Sequence, residues 1–363
     1  MADPRSPIRE LLRRSVRAGY APGAVAGWGR PRDFIRVAVG EATLVPEIAA
    51  MSEDTWFDLA SLTKPLVTTT LSLLSFRCAR FGLGTRVGEV LDEFEGSAIA
   101  GLTVQHLLTH TSGLPAWLPL YCLAEGSAGD LPIRLGEVQL ESPPGSRVVY
   151  SCVGFVILGL ILERAWAQDL ETLFSREVLA VLDLEGELGF SPDTATGRLA
   201  GTTDRAVAEE KLVRETNFDP RWIPATGIGL PDDGNARFLG GPAGNAGLFG
   251  TARGVLSLAS EYLVGGGELL TDEEVRLATK NHTPELEQAR GLGWQLAGTP
   301  GCSAGPALPD EAFGHVGFTG VSVWLDPLSG RAGGLFLNRL HPGHREADLH
   351  PLRRRFNALA LLG

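Results

Sequence analysis

The chain has 363 residues, 44% hydrophobic and 21% charged, the proportions of an ordinary globular protein rather than a disordered or fibrous one. Its 43 acidic residues outnumber 32 basic ones and leave a net charge of −11, a sign that repels a polyphosphate backbone and argues against nucleic acid as a partner. The length allows two lobes around a sizeable core. At the start of the chain, Ile8, Leu11, Leu12 and Val16 recur at helical spacing ahead of Gly19, which predicts a helix over about 6–18. The apolar runs Ala24 to Trp28 and Phe34 to Val39 flank a Gly-Arg-Pro-Arg-Asp turn and read as an antiparallel hairpin. A Leu/Thr-rich helix is expected over Thr63 to Phe76. From about 75 to 245, helical patterns alternate with Gly/Pro loops such as Ser142-Pro143-Pro144-Gly145, with no series of strands.

Strands return after Gly247. Phe318 to Leu325 carries Val321, Val323 and Leu325 at period two, Asp326 to Gly330 is a turn, and Gly333 to Leu337 is the returning strand. Arg345 to Leu362 reads as a final helix despite Pro351. Strands at both ends of a helical middle predict an α+β fold. One antiparallel sheet from both termini (1–60 plus 246–363) would carry an inserted, mostly helical lobe (61–245), with a site in the cleft between them.

Cys78, Cys122, Cys152 and Cys302 stand apart, with no C-x-x-C pair to suggest a zinc site or a disulfide framework. The longest apolar stretch, Val153 to Leu162, holds two glycines and ends at Glu163, short of the ~20 residues that span a bilayer. The first thirty residues interleave apolar side chains with arginines rather than forming a signal-peptide core. The expectation is a soluble cytoplasmic protein without a membrane partner, or a periplasmic or secreted one if a leader has been removed.

Several patterns could carry chemistry. Gly301-Cys302-Ser303-Ala304-Gly305 fits G-x-S-x-G, but Pro300, Pro306 and Pro309 prevent the strand and helix that a nucleophile elbow needs, so a loop is expected. His106 and His110 have the spacing of helical zinc ligands, yet Leu107 stands where that motif places Glu; buried or capping histidines are the expectation. His341, His344 and His350 are separated by Pro342 and Gly343 and read as loop residues rather than a chelate.

Ser61-Leu62-Thr63-Lys64 carries more. It follows Trp56-Phe57-Asp58-Leu59-Ala60 and opens a helix, where side chains at i and i+3 share one face, roughly 5–6 Å apart at Cβ. A serine hydroxyl is a poor nucleophile without an adjacent base, and a lysine can serve if burial or neighbouring cations lower its pKa. Tyr150 lies at the entry to a second apolar helix, after a Pro-Pro-Gly turn. Gly314-His315-Val316-Gly317-Phe318-Thr319-Gly320 enters the late strand, with glycines that let a ligand lie against the backbone.

The order Ser-x-x-Lys, Tyr-Ser-x, His-x-Gly resembles the serine β-lactamase and penicillin-binding superfamily, in its class C β-lactamase, D-alanyl-D-alanine carboxypeptidase and esterase branch. The stretches 57–64, 104–115 and 239–249 have the same look. The resemblance implies that Ser61 is the acylated nucleophile, with Lys64 and Tyr150 sharing the proton transfers. It also implies an oxyanion hole from the backbone N–H groups of Ser61 and Phe318. His315 would stand where relatives carry the Lys or His of the third motif, with Gly317 and Asn338 contacting substrate. Penicillin-active members carry Asn two residues after the tyrosine; here that place holds Cys152, a poor hydrogen-bond partner. The expected function is a serine hydrolase of small esters or amides, esterase-like and needing no metal or organic cofactor. The alternatives are a D-alanyl-D-alanine carboxypeptidase or weak β-lactamase, and a non-catalytic binding or sensor protein on the same fold.

Overall fold

The structure is a computed structural model that describes residues 5–194, 197–203, 207–216, 218–263, 267–343 and 347–362. Among the described residues, ten strands form two sheets. The larger has the order β3-β2-β1-β10-β9-β8-β7, with antiparallel pairing between its neighbours. Here β1 is Gly23–Arg30, β2 Asp33–Thr43 and β3 Ala49–Ala50; β7 is Gln295–Leu296, β8 Phe313–Val316, β9 Ser322–Asp326 and β10 Arg331–Leu337. The hairpin β1–β2 pairs with β10 through Ala24↔Leu337 to Gly29↔Ala332, so the two ends of the chain close one sheet, as the pattern of strands predicts. The smaller sheet, β4 (Phe57–Asp58), β6 (Phe249–Gly250) and β5 (Leu188–Gly189), brackets the start of the Ser61 turn.

Side chains alternate across the large sheet, as a pleated strand requires. Ala24, Ala26, Leu335 and Leu337 face the helices Arg5–Arg17 and His350–Leu361, packing with Ile8, Leu12 and Phe356. Val25, Val323 and Phe336 face the other way, toward the helix Ala252–Ser260 and the core of the helical region. That second core centres on the helix Cys152–Trp166, whose Val153 to Leu158 are all buried. A helix apolar on all sides must lie inside other elements.

The structure corrects the sequence reading at three elements. Thr63 to Phe76 is not one α-helix: a 3-10 turn (Ala60–Leu62) leads into a π-helical segment (Lys64–Thr69) before regular helix over Thr70–Arg77. All of Lys64 to Thr69 is buried, so no amphipathic period marks the change. The strand expected from Phe318 begins at Ser322; residues 317–321 form the turn of a β8–β9 hairpin, with Gly320 at φ +114°. The last helix starts at His350 with Pro351 in its first turn, where the missing N–H costs nothing; His344 and Arg345 lie outside the described residues. Among the described residues, no helix is long and apolar enough to cross a membrane.

Candidate active site

The turn that presents Ser61 is held from several sides. Ala60 adopts a left-handed conformation (φ +45°), unusual for a residue with a Cβ. Its N–H donates to Asp58 Oδ1 at 2.8 Å and its carbonyl accepts from Thr63 Oγ1 at 2.6 Å. The other Asp58 oxygen accepts from the Asp232 N–H at 2.7 Å, and Thr319 Oγ1 donates to the Asp58 carbonyl at 2.7 Å. Burial raises the Asp58 carboxyl to about 6, against the pull of these two N–H donors. One buried carboxylate thus ties the Ser61 turn to the 232–233 loop, while a neighbouring threonine ties it to the β8–β9 hairpin.

Lys64 is fully buried. Its Nζ donates to Ser61 Oγ at 3.0 Å and to the carbonyl of Asn245 at 2.9 Å, with Cys152 Sγ at 3.5 Å. The Asn245 carbonyl reaches the lysine because the glycine-rich 240–247 loop packs directly on the Cys152–Trp166 helix. A Cβ on Gly244 would lie 2.1 Å from the Phe155 carbonyl oxygen, and Thr68 Oγ1 donates to the Gly244 carbonyl at 2.6 Å. Gly244→Ala is therefore expected to push the loop off the helix, costing about 1–3 kcal/mol of stability, the usual range for overpacking. Thermal denaturation measures it; an unchanged melting temperature would contradict the packing argument.

The Tyr150 hydroxyl lies close enough to Lys64 and Ser61, and the Cys152 thiol close enough to Lys64 and Tyr150, for these groups to act on each other's protonation. Lys64 Nζ lies 5.0 Å from the Tyr150 ring centroid. Burial raises the pKa of both Tyr150 and Cys152, and the Lys64 charge pulls each partly back. Burial acts to lower the Lys64 ammonium, but Cys152 and Tyr150 act the other way and the net direction is up. The resting cluster is thus an ammonium, a phenol and a thiol around one hydroxyl.

His315, on β8, brings its ring 5.7 Å from that of Tyr150. Burial holds its pKa well below the ordinary value, helped by the Lys64 and Arg290 charges, so His315 is neutral. Its Nδ1 lies 2.9 Å from the Val316 carbonyl, which places the proton on Nδ1 and leaves Nε2 as an acceptor. The cation on this side of the site is instead Arg290, which the sequence reading did not single out. Its guanidinium is buried, 6.0 Å from the Tyr150 ring centroid, and donates to Gln288 Oε1 at 2.7 Å. No described acidic residue pairs with it, and Nε has no partner. Burial pushes its pKa down to about 10, still charged at neutral pH.

Ser61, Tyr150, Arg290, His315, Gly317 and Phe318 line one cavity of about 490 Å³, which Arg339 and Arg353 also border. Gly317 sits against the Ser61 turn: a Cβ there would lie 2.8 Å from the Leu59 carbonyl oxygen. Ser61, Lys64, Tyr150, Cys152, His315, Gly317 and Phe318 are thereby brought together.

Asn338 is not among them, which corrects the expectation of substrate contact. Its Oδ1 accepts from the Gly23 N–H at 2.9 Å, and its Nδ2 donates to the carbonyls of Glu41 and Ala42 at 3.0 and 2.9 Å. The buried side chain fastens β1, β2 and the end of β10 to one another, with both Nδ2 hydrogens committed to backbone carbonyls. His106 and His341 also have local roles. His106 Nδ1 accepts from the Thr103 N–H in a capping box, and His341 Nε2 accepts from the Leu44 N–H at 2.7 Å. Ser303 is buried in a loop, where its Oγ accepts from Trp324 Nε1 at 3.2 Å. Asp58 and Asn245 also escaped the sequence reading. Asp58 stands three residues before Ser61, a position that signals an anchor once the serine is known; Asn245 acts through a backbone atom, which no residue type announces.

Comparison with known proteins places the chain among relatives of one fold. A Salmonella enteritidis protein with the provisional name D-alanyl-D-alanine carboxypeptidase is 28% identical over 338 residues, covering 85% of this chain and 75% of that protein. Among solved structures, a hydrolase with promiscuous acyltransferase activity (EstCE1) superposes with a TM-score of 0.75 at 22% identity, covering 98% of both chains. A penicillin-binding protein homologue from Caulobacter crescentus gives 0.75 at 20% identity, covering 99% of this chain and 97% of that one. With the Beta-lactamase family model matching residues 8–358, nearly the whole length, the chain belongs to the beta-lactamase family.

Proposed function

We propose that this protein is a serine hydrolase that forms a covalent acyl-enzyme on Ser61 and acts on small esters. The observation that supports this reading is the 3.0 Å contact between Lys64 Nζ and Ser61 Oγ at the wall of an open cavity. Ser61 Oγ attacks the ester carbonyl, and its proton passes to the Lys64–Tyr150 pair once that pair has lost one. The carbonyl electrons move onto oxygen, where the backbone N–H groups of Ser61 and Phe318 stabilise the charge. Tyr150 returns the proton to the departing alkoxide, which leaves as an alcohol. Water then attacks the acyl-enzyme by the same route in reverse and releases a carboxylic acid and Ser61.

Esters are favoured over amides by Cys152. The residue beside Tyr150 that binds an acylamide carbonyl in penicillin-active relatives is a carboxamide, and a thiol donates far more weakly. The second reading, a D-alanyl-D-alanine carboxypeptidase, is favoured by Arg290, an unpaired guanidinium in the cavity suited to a terminal carboxylate. Mass spectrometry after treatment with a fluorophosphonate, which reports an activated serine, is the test. A single adduct on Ser61 is expected; its absence from the folded protein favours a non-catalytic binding role. Labelling of Ser61 by a fluorescent penicillin, with release of D-alanine from a peptide, moves the assignment to the second reading.

The charge state sets the pH dependence. The Lys64 ammonium and the Tyr150 phenol both have raised pKa values, so at neutral pH both hold their protons and the base form is a minority. Raising the pH removes one proton and creates the base. kcat/KM toward a neutral ester is therefore expected to climb steadily with pH from neutrality into the alkaline range without levelling off, because both groups titrate above their ordinary values. A flat profile in stopped spectrophotometric assays would place the general base elsewhere.

The cavity makes a further prediction about substrate charge. Arg290→Gln should raise KM for an ester carrying a carboxylate by about tenfold or more, the cost of a charge-assisted hydrogen bond, while KM for the matching neutral ester changes little. Equal effects on the two substrates would show that Arg290 serves only to support the fold.

A further inference from the structure

We propose that His110 is a positioning residue for Tyr150, fixing the phenol against Ser61 by gripping the chain on both sides of it. The inference rests on the reading of Tyr150 as the proton-transfer group. The Val149 N–H donates to the His110 carbonyl at 2.9 Å, and the Ser151 N–H donates to His110 Nδ1 at 3.0 Å. One residue therefore holds the peptide before Tyr150 with its backbone and the peptide after it with its side chain. The imidazole also lies along the phenol, with ring centroids 4.6 Å apart and planes inclined at 42°, and packs on its far side against Phe155 at 5.0 Å.

His110 is itself anchored. Its N–H donates to the Leu107 carbonyl at 3.3 Å, and the next N–H, of Thr111, donates to the His106 carbonyl at 2.9 Å. Its backbone is left-handed at φ +58°, a conformation in which histidine and asparagine are enriched among residues with a Cβ. That turn directs the carbonyl and the ring toward the 149–151 segment together. Because Nδ1 accepts, the proton must sit on Nε2, and Nε2 is buried with no partner among the described residues. An apolar side chain would fill the same space without an unpaired N–H, so the acceptor at Nδ1 is what calls for a histidine here. Burial, with the charges of Arg290 and Lys64, keeps the ring neutral, which preserves that acceptor.

The groups facing the Tyr150 hydroxyl and ring are Lys64 and Ser61 from the nucleophile segment, Cys152 from its own helix, His315 from β8 and Arg290 from the segment before β7. The Lys64 charge lowers the Tyr150 pKa at close range. A phenol that drifts from the lysine loses that lowering and must be titrated at higher pH.

The test uses two substitutions that both suit a left-handed backbone. H110G removes the acceptor and the ring; H110N keeps a side-chain oxygen where Nδ1 stood. With an activated neutral ester, H110G is expected to lower kcat by about 10²-fold, the scale of a misplacement of about 1 Å. KM should change by less than about threefold, and the rising limb of the pH profile should move upward. H110N should recover kcat to within about fivefold and restore the limb. H110F, which fills the space and lacks the acceptor, gives the same comparison if H110G does not fold. Wild-type kcat and an unmoved limb in H110G or H110F would overturn the proposal, as would equal impairment in H110N. Full activity in Ser61→Ala and Tyr150→Phe would instead overturn the hydrolase reading, so the two failures are separable.

Discussion

Ser61→Ala is expected to lower kcat/KM toward p-nitrophenyl acetate by at least about 10⁴-fold, equivalent to more than ~5 kcal/mol of transition-state stabilisation. The substitution removes the one atom that forms the acyl bond and leaves the oxyanion donors and cavity in place, so only the modest catalysis of binding and electrostatics remains. The fold should tolerate it. Lys64 keeps the Asn245 carbonyl as an acceptor, and Asp58 still holds the Ala60 N–H, so the turn loses no backbone tie. The melting temperature should stay within about 2 °C, since the substitution opens no core cavity, breaks no buried ion pair and removes no helix cap. Cys152 is a poor substitute nucleophile although its sulfur lies 3.5 Å from Lys64, because burial holds it as a thiol rather than a thiolate. Any residual turnover that iodoacetamide removes would be assigned to it. Full activity in the alanine variant, with the serine-directed probe still bound, would remove Ser61 from the chemistry.

Much of this site is readable before folding, and the reason differs from residue to residue. Ser61 and Lys64 announce themselves because a spacing of three puts two side chains on one face of a helical turn; the pair survives even though Ser61 sits in a 3-10 turn and Lys64 opens a π-helical segment. His315 is marked by its glycines, and the packing of Gly317 on the Leu59 carbonyl shows why no larger residue fits. What the sequence does not reveal is supplied by long-range packing. The neutral state of His315 follows from burial beside two cations brought from positions 64 and 290. The third contact of Lys64 is a carbonyl from residue 245, positioned by a glycine against a helix. Asn338 misled for a related reason: a carboxamide at a strand end can equally face a ligand or fasten strands, and only the positions of Gly23, Glu41 and Ala42 decide it. The fold itself was legible in outline, because the apolar runs of β1, β2 and β10 and the period-two Val321, Val323 and Leu325 are set off by clear turns, while the fully buried Lys64–Thr69 segment offers no period to read.

Lys64→Met separates catalysis from stability more sharply than any other substitution here. Methionine approximates the length of lysine and fills its space, but removes the ammonium from a wholly buried position. Catalysis should fall by about 10³-fold or more, since Ser61 and Tyr150 lose the group that exchanges protons with both. Stability is governed by opposing effects. Taking a cation out of a low-dielectric interior where no carboxylate touches it is worth a few kcal/mol, because its desolvation no longer has to be met. Against this, the Asn245 carbonyl loses its donor, at a cost of about 1–3 kcal/mol. The two nearly cancel, so the melting temperature is expected to hold within about 3 °C or to rise, the signature of a residue kept for function at the expense of the fold. The remaining activity should also need higher pH, because the Tyr150 phenol then lacks the positive charge that lowers its pKa. Calorimetry and a pH–rate profile on the same preparation decide the matter: a melting temperature depressed by more than about 5 °C in step with the lost activity would make Lys64 a structural residue.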